Sequence, residues 1–164
     1  MRTVRLIYQH TTMCPFCESA SYLIDMFKRA GIEVIEDILD AGTRRPSMNM
    51  EVLKRKGIPV GEGTWVPCLI VEFIENGKTV YRLVINIEEY VEYEGRKYPC
   101  RIPYTHAGAL ARELLQTYGR NAIELLDNMF GEDWKIGFLC LRRYEEIFRK
   151  IMKIVYSWVR ARRS

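Results

Sequence analysis

The sequence predicts an α/β domain followed by an all-helical C-terminal extension. Three observations carry that prediction. A strand-helix-strand pattern opens the chain, two strand-like runs meet at Asn76-Gly77, and beyond Pro103 every apolar stripe repeats at helical spacing. The change of period divides the 164 residues into 1–103 and 104–164.

Residues 4–8 are a short alternating apolar run, which reads as a strand, and His10-Thr11-Thr12-Met13 reads as a loop. From Pro15 the pattern turns helical, with Ala20, Leu23, Ile24, Phe27 and Ala30 on one face. Proline suits the first helical position, which has no hydrogen bond to lose, and Gly31 suits the C-cap. Residues 32–39 alternate β-branched residues with acids and form a second strand, parallel to the first by a right-handed crossover. A loop at 40–46, a short helix at 48–56 and a Gly-rich loop at 57–64 follow. Residues 65–74 and 78–87 are strands joined by the hairpin dipeptide Asn76-Gly77, and a second hairpin forms around Glu94-Gly95.

Three helices make up the extension. Thr105 caps the first, whose stripe is Ala107, Leu110, Ala111, Leu114, Leu115 and Tyr118. Ala122, Ile123, Leu126 and Phe130 mark the second. Asp133 caps a long third, with Tyr144, Ile147, Phe148, Ile151, Ile154, Val155 and Trp158 on one side. Glu145 with Arg149, and Glu146 with Lys150, stand at the favourable ion-pair spacing. These stripes need a partner, either the first domain or the helices of a second copy in a homodimer.

A hydrophobic share of 48% and a charged share of 28% are those of an ordinary globular protein. No stretch is long and apolar enough for a membrane span, and the N-terminus reads as a strand rather than a signal peptide, so a cytoplasmic protein is expected. The net charge of +4 is uneven: residues 142–164 hold eight Arg or Lys against two Glu. Such a tail can meet an acidic partner or stand as a solvated helix face. Abundant Arg, Lys and Glu beside only two Gln lean toward a thermophile, where intracellular disulfides are less unusual.

The chemistry lies in five cysteines, at 14, 17, 68, 100 and 140. Cys14-Pro15-Phe16-Cys17 falls where a strand ends and a helix begins. A helix N-terminus offers free N–H groups and partial positive charge, both of which stabilise a thiolate. Such cysteines reach a pKa of about 3.5–7.5 against about 8.5 for a free thiol. Cys14 is then the nucleophile and Cys17 the thiol that resolves a mixed disulfide. The alternative is half of a zinc site completed by Cys68 and Cys100, but that second half lacks its own Cys-x-x-Cys spacing, so no metal is expected. His10, four residues before Cys14, either steers the thiol or is simply solvated. Cys68 is either a third redox group or a small core residue. Cys100 has no assignable partner, Cys140 belongs to a helix core, and His106 is structural.

The strand ending at Tyr8, the Cys14-Pro15-Phe16-Cys17 turn and the Val66-Pro67 pair together resemble the glutaredoxin family, across residues 4–87. The resemblance implies the thioredoxin fold, a central mixed four-stranded sheet flanked by helices. It implies a thiol–disulfide oxidoreductase acting on protein or low-molecular-weight disulfides, with the dithiol itself as redox group and no other cofactor. It also implies a cis Pro67 lying against the cysteine pair and a Val66 backbone that pairs with substrate like an added strand. Pro15, Phe16 and Trp65 complete the implied substrate surface. Two departures stand out. Met13 and Tyr8 replace the Trp and buried acid of thioredoxins proper. The Gly-Gly turn with which glutaredoxins hold glutathione is replaced by residues 84–89, so the resemblance does not carry glutathione over. Two alternatives remain: a glutathione-transferase-like protein, suggested by the helical extension although the family's Glu-Ser pair is absent, and a non-catalytic redox-sensing interaction module.

Overall fold

The computed structural model describes residues 1–39 and 66–161. The readings for 40–65, including Trp65, lie outside the described residues. In chain order the elements are β1 (Arg2–Thr11), α1 (Pro15–Arg29), β2 (Glu33–Leu39), β3 (Cys68–Glu75), β4 (Lys78–Asn86), β5 (Tyr90–Tyr93) and β6 (Arg96–Pro99). Then come α2 (Tyr104–Tyr118), α3 (Ala122–Phe130) and α4 (Asp133–Arg160). The fold is mixed α/β. Its four-stranded sheet runs β2-β1-β3-β4, with β1 parallel to β2 and antiparallel to β3, and β3 antiparallel to β4. Strands β5 and β6 form a separate ribbon at the expected second hairpin.

Strand β1 is longer than its alternation suggests. His10 and Thr11, expected in a loop, are strand because the ladder with β2 continues through His10↔Ile38 and Thr11↔Leu39. Alternation reports which side is buried; it says nothing of a neighbouring backbone that supplies partners.

One face of the sheet carries Leu6, Tyr8, Leu69, Val71 and Phe73 against Leu23, Ile24 and Phe27 of α1. Helix α4 enters that same core through Tyr144, Ile151, Met152 and Val155. Each such large apolar side chain contributes about 1.5–3 kcal/mol when fully buried. The last turns of α4 are pinned to the start of β1: Trp158 Nε1 donates to the Thr3 carbonyl at 3.0 Å, and the Arg2 guanidinium lies 4.2 Å from the Trp158 ring centre. The opposite face gathers Ile7, Ile35, Cys68 and Ile70.

The extension departs from its sequence stripes at several points. Residues Thr105, Ala107, Gly108 and Ala111 are the buried side of α2, while Leu110 and Tyr118 are exposed. The cause is a close crossing with α4. A Cβ on Gly108 would lie 2.7 Å from Gly137 Cα, so two glycines set the contact line and turn the larger residues outward. Likewise α4 buries Trp134, Ile136, Cys140 and Leu141 ahead of Tyr144 and leaves Ile154 exposed. Thr105 does not cap α2. The helix starts at Tyr104 behind Pro103, and the Thr105 hydroxyl is 2.5 Å from Ser19 Oγ inside the core. Asp133 is the first residue of α4 rather than its cap. Glu145 pairs with Arg112 of α2 and Glu146 with Arg143, in place of the expected partners one turn on. Isolated-helix spacing offers those partners, but α2 brings the Arg112 guanidinium to Glu145, while Glu146 pairs back along α4 with Arg143.

Candidate functional site

Cys14 stands at the N-cap of α1, in extended backbone, and its Sγ accepts a hydrogen bond from the Cys17 N–H at 3.1 Å. Pro15 follows at the first helical position, as its missing N–H favours. The two cysteines are joined as a disulfide with Cα atoms 5.1 Å apart. Their environments differ: Cys14 is half-buried, whereas Cys17 is 3% exposed. Beneath them the Tyr8 hydroxyl donates to the Cys17 carbonyl at 2.6 Å, and burial raises the Tyr8 phenol well above its usual range. Met13, just before Cys14, is exposed and holds a positive φ of 57°, an uncommon conformation for a side chain of its size.

Of the expected substrate surface, Pro15 is exposed and Phe16 half-buried. The Phe16 ring lies 5.8 Å from that of Tyr90 in the β5–β6 ribbon, and the Lys97 ammonium lies 4.7 Å from the Tyr90 ring centre. Val66 is half-buried and Pro67 buried, and the peptide bond between them is cis. The β1–β3 register ends with Gln9 opposite Cys68. Pro67 therefore sits at the end of the sheet where β1 leads into the Cys14 turn, and its carbonyl accepts from Ile87 N–H at 3.1 Å.

Cys68 is buried as a free thiol among Ile7, Ile35 and Ile70, on the sheet face away from α1. Burial pushes its thiol up from the ordinary value. In the same row Gln9 Nε2 donates to Asp37 Oδ2 at 2.9 Å, and burial likewise raises the Asp37 carboxyl. The strand period separates this row from Cys14 and Cys17, since alternate residues point to opposite faces.

Cys100 and Cys140, which sequence alone did not pair, form a second disulfide that is fully buried. It ties the end of β6 to α4. Two residues on, the Ile102 N–H donates to the Pro15 carbonyl at 3.3 Å, so the clamped segment backs the Cys14 turn. With Cys100 bonded to Cys140 and Cys68 on the far face, the four cysteines of a zinc site are not gathered. Among the described residues no group of three His, Cys, Asp or Glu is placed to hold a metal ion.

Compared with protein-family models and with curated proteins, the sequence matches none. No helix among the described residues is long and apolar enough to cross a membrane.

His10, within β1, stacks on Tyr8 with ring centres 4.4 Å apart, and its Nε2 lies 3.3 Å from Glu36 Oε1. These side chains line a cavity of about 260 Å³ together with Cys17, Glu18, Ser21 and His106. His106 is tied to α1 by the Tyr22 hydroxyl, 2.8 Å from its Nδ1. Sequence reasoning had no signal for Glu36, Tyr90 or His106 here, because each arrives from a separate element. Behind the site, Ser19 Oγ is 2.7 Å from the Tyr144 hydroxyl as well as bonded to Thr105, a buried hydroxyl cluster joining α1, α2 and α4.

Proposed function

We propose that this chain is a thiol–disulfide oxidoreductase of the glutaredoxin type within the thioredoxin fold. One observation carries the reading: a Cys14–Cys17 disulfide at the N-terminus of α1, with Cys14 the more accessible sulfur. In the reduced form the same helix terminus favours a Cys14 thiolate, because the Cys17 N–H and the aligned peptide dipoles face that sulfur.

The thiolate attacks one sulfur of a substrate disulfide. A bond forms between Cys14 and that sulfur, and the other sulfur leaves as a thiolate. Cys17 then loses its proton and attacks Cys14 Sγ, releasing the second substrate thiolate and closing the protein disulfide. Two electrons pass from the protein dithiol to the substrate, whose two sulfurs end as thiols. The exposed Pro15, the Phe16–Tyr90 pair and the cis Val66-Pro67 segment form the surface on which a disulfide-bearing protein or small molecule is received.

The test is turnover of a model disulfide by the full chain supplied with a dithiol reductant. Cys14→Ser should abolish it. Cys17→Ser should keep the first attack and accumulate a mixed disulfide visible by mass spectrometry. Equal rates for wild type and Cys14→Ser would sink the proposal. A Cys14–Cys17 disulfide that cycles without turnover would point instead to a redox-sensing interaction module.

A further inference from the structure

We propose that His10, backed by Glu36, takes the proton that Cys17 must lose when it resolves the mixed disulfide, through the cavity the three side chains share. This rests on the oxidoreductase reading and assigns a residue to its second step.

The need for such a group follows from burial. Cys14 is only half-buried, at a helix terminus, but Cys17 is 3% exposed, and a thiol away from water does not ionise unaided. Cys17 lines a cavity of about 260 Å³, roomy enough for water molecules to bridge its polar walls. Exposure rises stepwise along that wall, from Cys17 to the His10 side chain at 19% and the Glu36 side chain at 46%. A proton released from Cys17 into this cavity therefore meets groups that can carry it on the way to bulk solvent.

The other titratable neighbours are worse placed. Tyr8 is held by the Cys17 carbonyl, and its buried phenol resists ionisation. Asp37 lies in the Gln9 row on the opposite face. His106 is engaged by Tyr22 on an exposed surface. Glu18 lines the cavity from an exposed position on α1, where it is not carried toward the buried Cys17 by a partner side chain as His10 is by Tyr8. Burial lowers the His10 pKa, opposed by Glu36 and Asp37 and aided by Lys28, so the ring is neutral and able to accept at neutral pH. In the step itself the Cys17 S–H proton moves to the imidazole, and the freed electron pair on Cys17 forms the new S–S bond. The Cys14–substrate bond breaks, and the imidazolium returns its proton to solvent beside Glu36.

The two steps can be timed separately in the full chain, reduced at Cys14 and Cys17 and mixed rapidly with an aromatic disulfide whose released thiolate is coloured. The first equivalent reports attack by Cys14, and the second reports resolution by Cys17. At neutral pH, His10→Gln should slow the second phase roughly 100-fold, within the range of a positioned base, and leave the first unchanged. As the pH approaches the ordinary thiol range, near about 8.5, solvent base takes over and the gap should close. Glu36→Gln, at a surface position that does not threaten folding, should slow the same phase by a smaller factor with the same closing of the gap. Glu18→Gln should leave both phases as in wild type. A wild-type second phase in His10→Gln and Glu36→Gln at every pH would overturn the assignment, as would a loss produced by Glu18→Gln in their place. Absence of a second phase in the wild type would instead remove the oxidoreductase reading itself.

Discussion

Replacing both Cys100 and Cys140 by alanine tests how much the second disulfide contributes. The bond closes a loop of sequence separation 40. In the chain-entropy treatment a loop of that length restricts the unfolded state by about 4 kcal/mol at 25 °C. Removing two fully buried sulfurs leaves a small cavity worth about 1 kcal/mol more. The sum, about 5 kcal/mol, is large against a total stability of about 5–15 kcal/mol for a domain. Urea unfolding without reductant measures it. With a slope of about 2 kcal/mol/M, the midpoint should fall by about 2.5 M. The variant should also exchange disulfides more slowly, because the segment holding Ile102 against the Pro15 carbonyl is no longer tethered. A thiol count supplies an internal check. Unfolded without reductant, the oxidised wild type should show a single reactive thiol, from Cys68. After brief mild reduction of the native protein it should show three, because the Cys14–Cys17 bond is reached through the half-buried Cys14 sulfur while both sulfurs of the Cys100–Cys140 bond are fully buried. A stability loss below about 1 kcal/mol would refute the loop-entropy reasoning for this bond. Five thiols after mild reduction would refute its protection by burial.

Three further outcomes follow from the geometry. Gly137→Ala should destabilise by roughly 1–3 kcal/mol in the same unfolding assay, since the new Cβ would lie 2.7 Å from the Gly108 nitrogen and neither backbone can yield without parting α2 from α4. Wild-type stability here would show that the two helices do not cross at their glycines. Asp37→Asn should stabilise the protein at neutral pH. Burial raises this carboxyl above its ordinary 3.8, so the folded state binds the proton more tightly than the unfolded chain does. The wild type therefore loses stability as the pH climbs from about 4 through the raised value, and the variant's advantage should shrink again toward acid. An advantage independent of pH would contradict the assignment. Cys68→Ala should leave the exchange rate unchanged while costing some stability, because the side chain packs with Ile7, Ile35 and Ile70 on the far face. A large fall in rate with stability preserved would place that thiol in the chemistry.

The local signals in this chain were strong, and the structure follows them. Pro15 after a strand, with apolar residues spaced along one helical face, specified α1 and put Cys14 at its N-cap. Asn76-Gly77 and Glu94-Gly95 specified the two hairpins, because those turns need the positive φ that these four residues adopt. The candidate dithiol was legible for the same reason: its geometry is set within four consecutive residues. The rest depends on elements distant in sequence. The Cys100–Cys140 bond could not be chosen from composition, since pairing depends on where a ribbon meets a helix. The buried side of α2 was set by its glycine crossing with α4, which no single-helix periodicity encodes. Cys68 was separated from the other site sulfurs by the face on which its strand presents it. His10 was visible as a residue near Cys14, but only packing brought it to a cavity with Cys17, Glu36 and His106. Periodicity and turn chemistry act over a few residues and are written in the chain itself, whereas the partners of a buried group are fixed only when separate elements close around it.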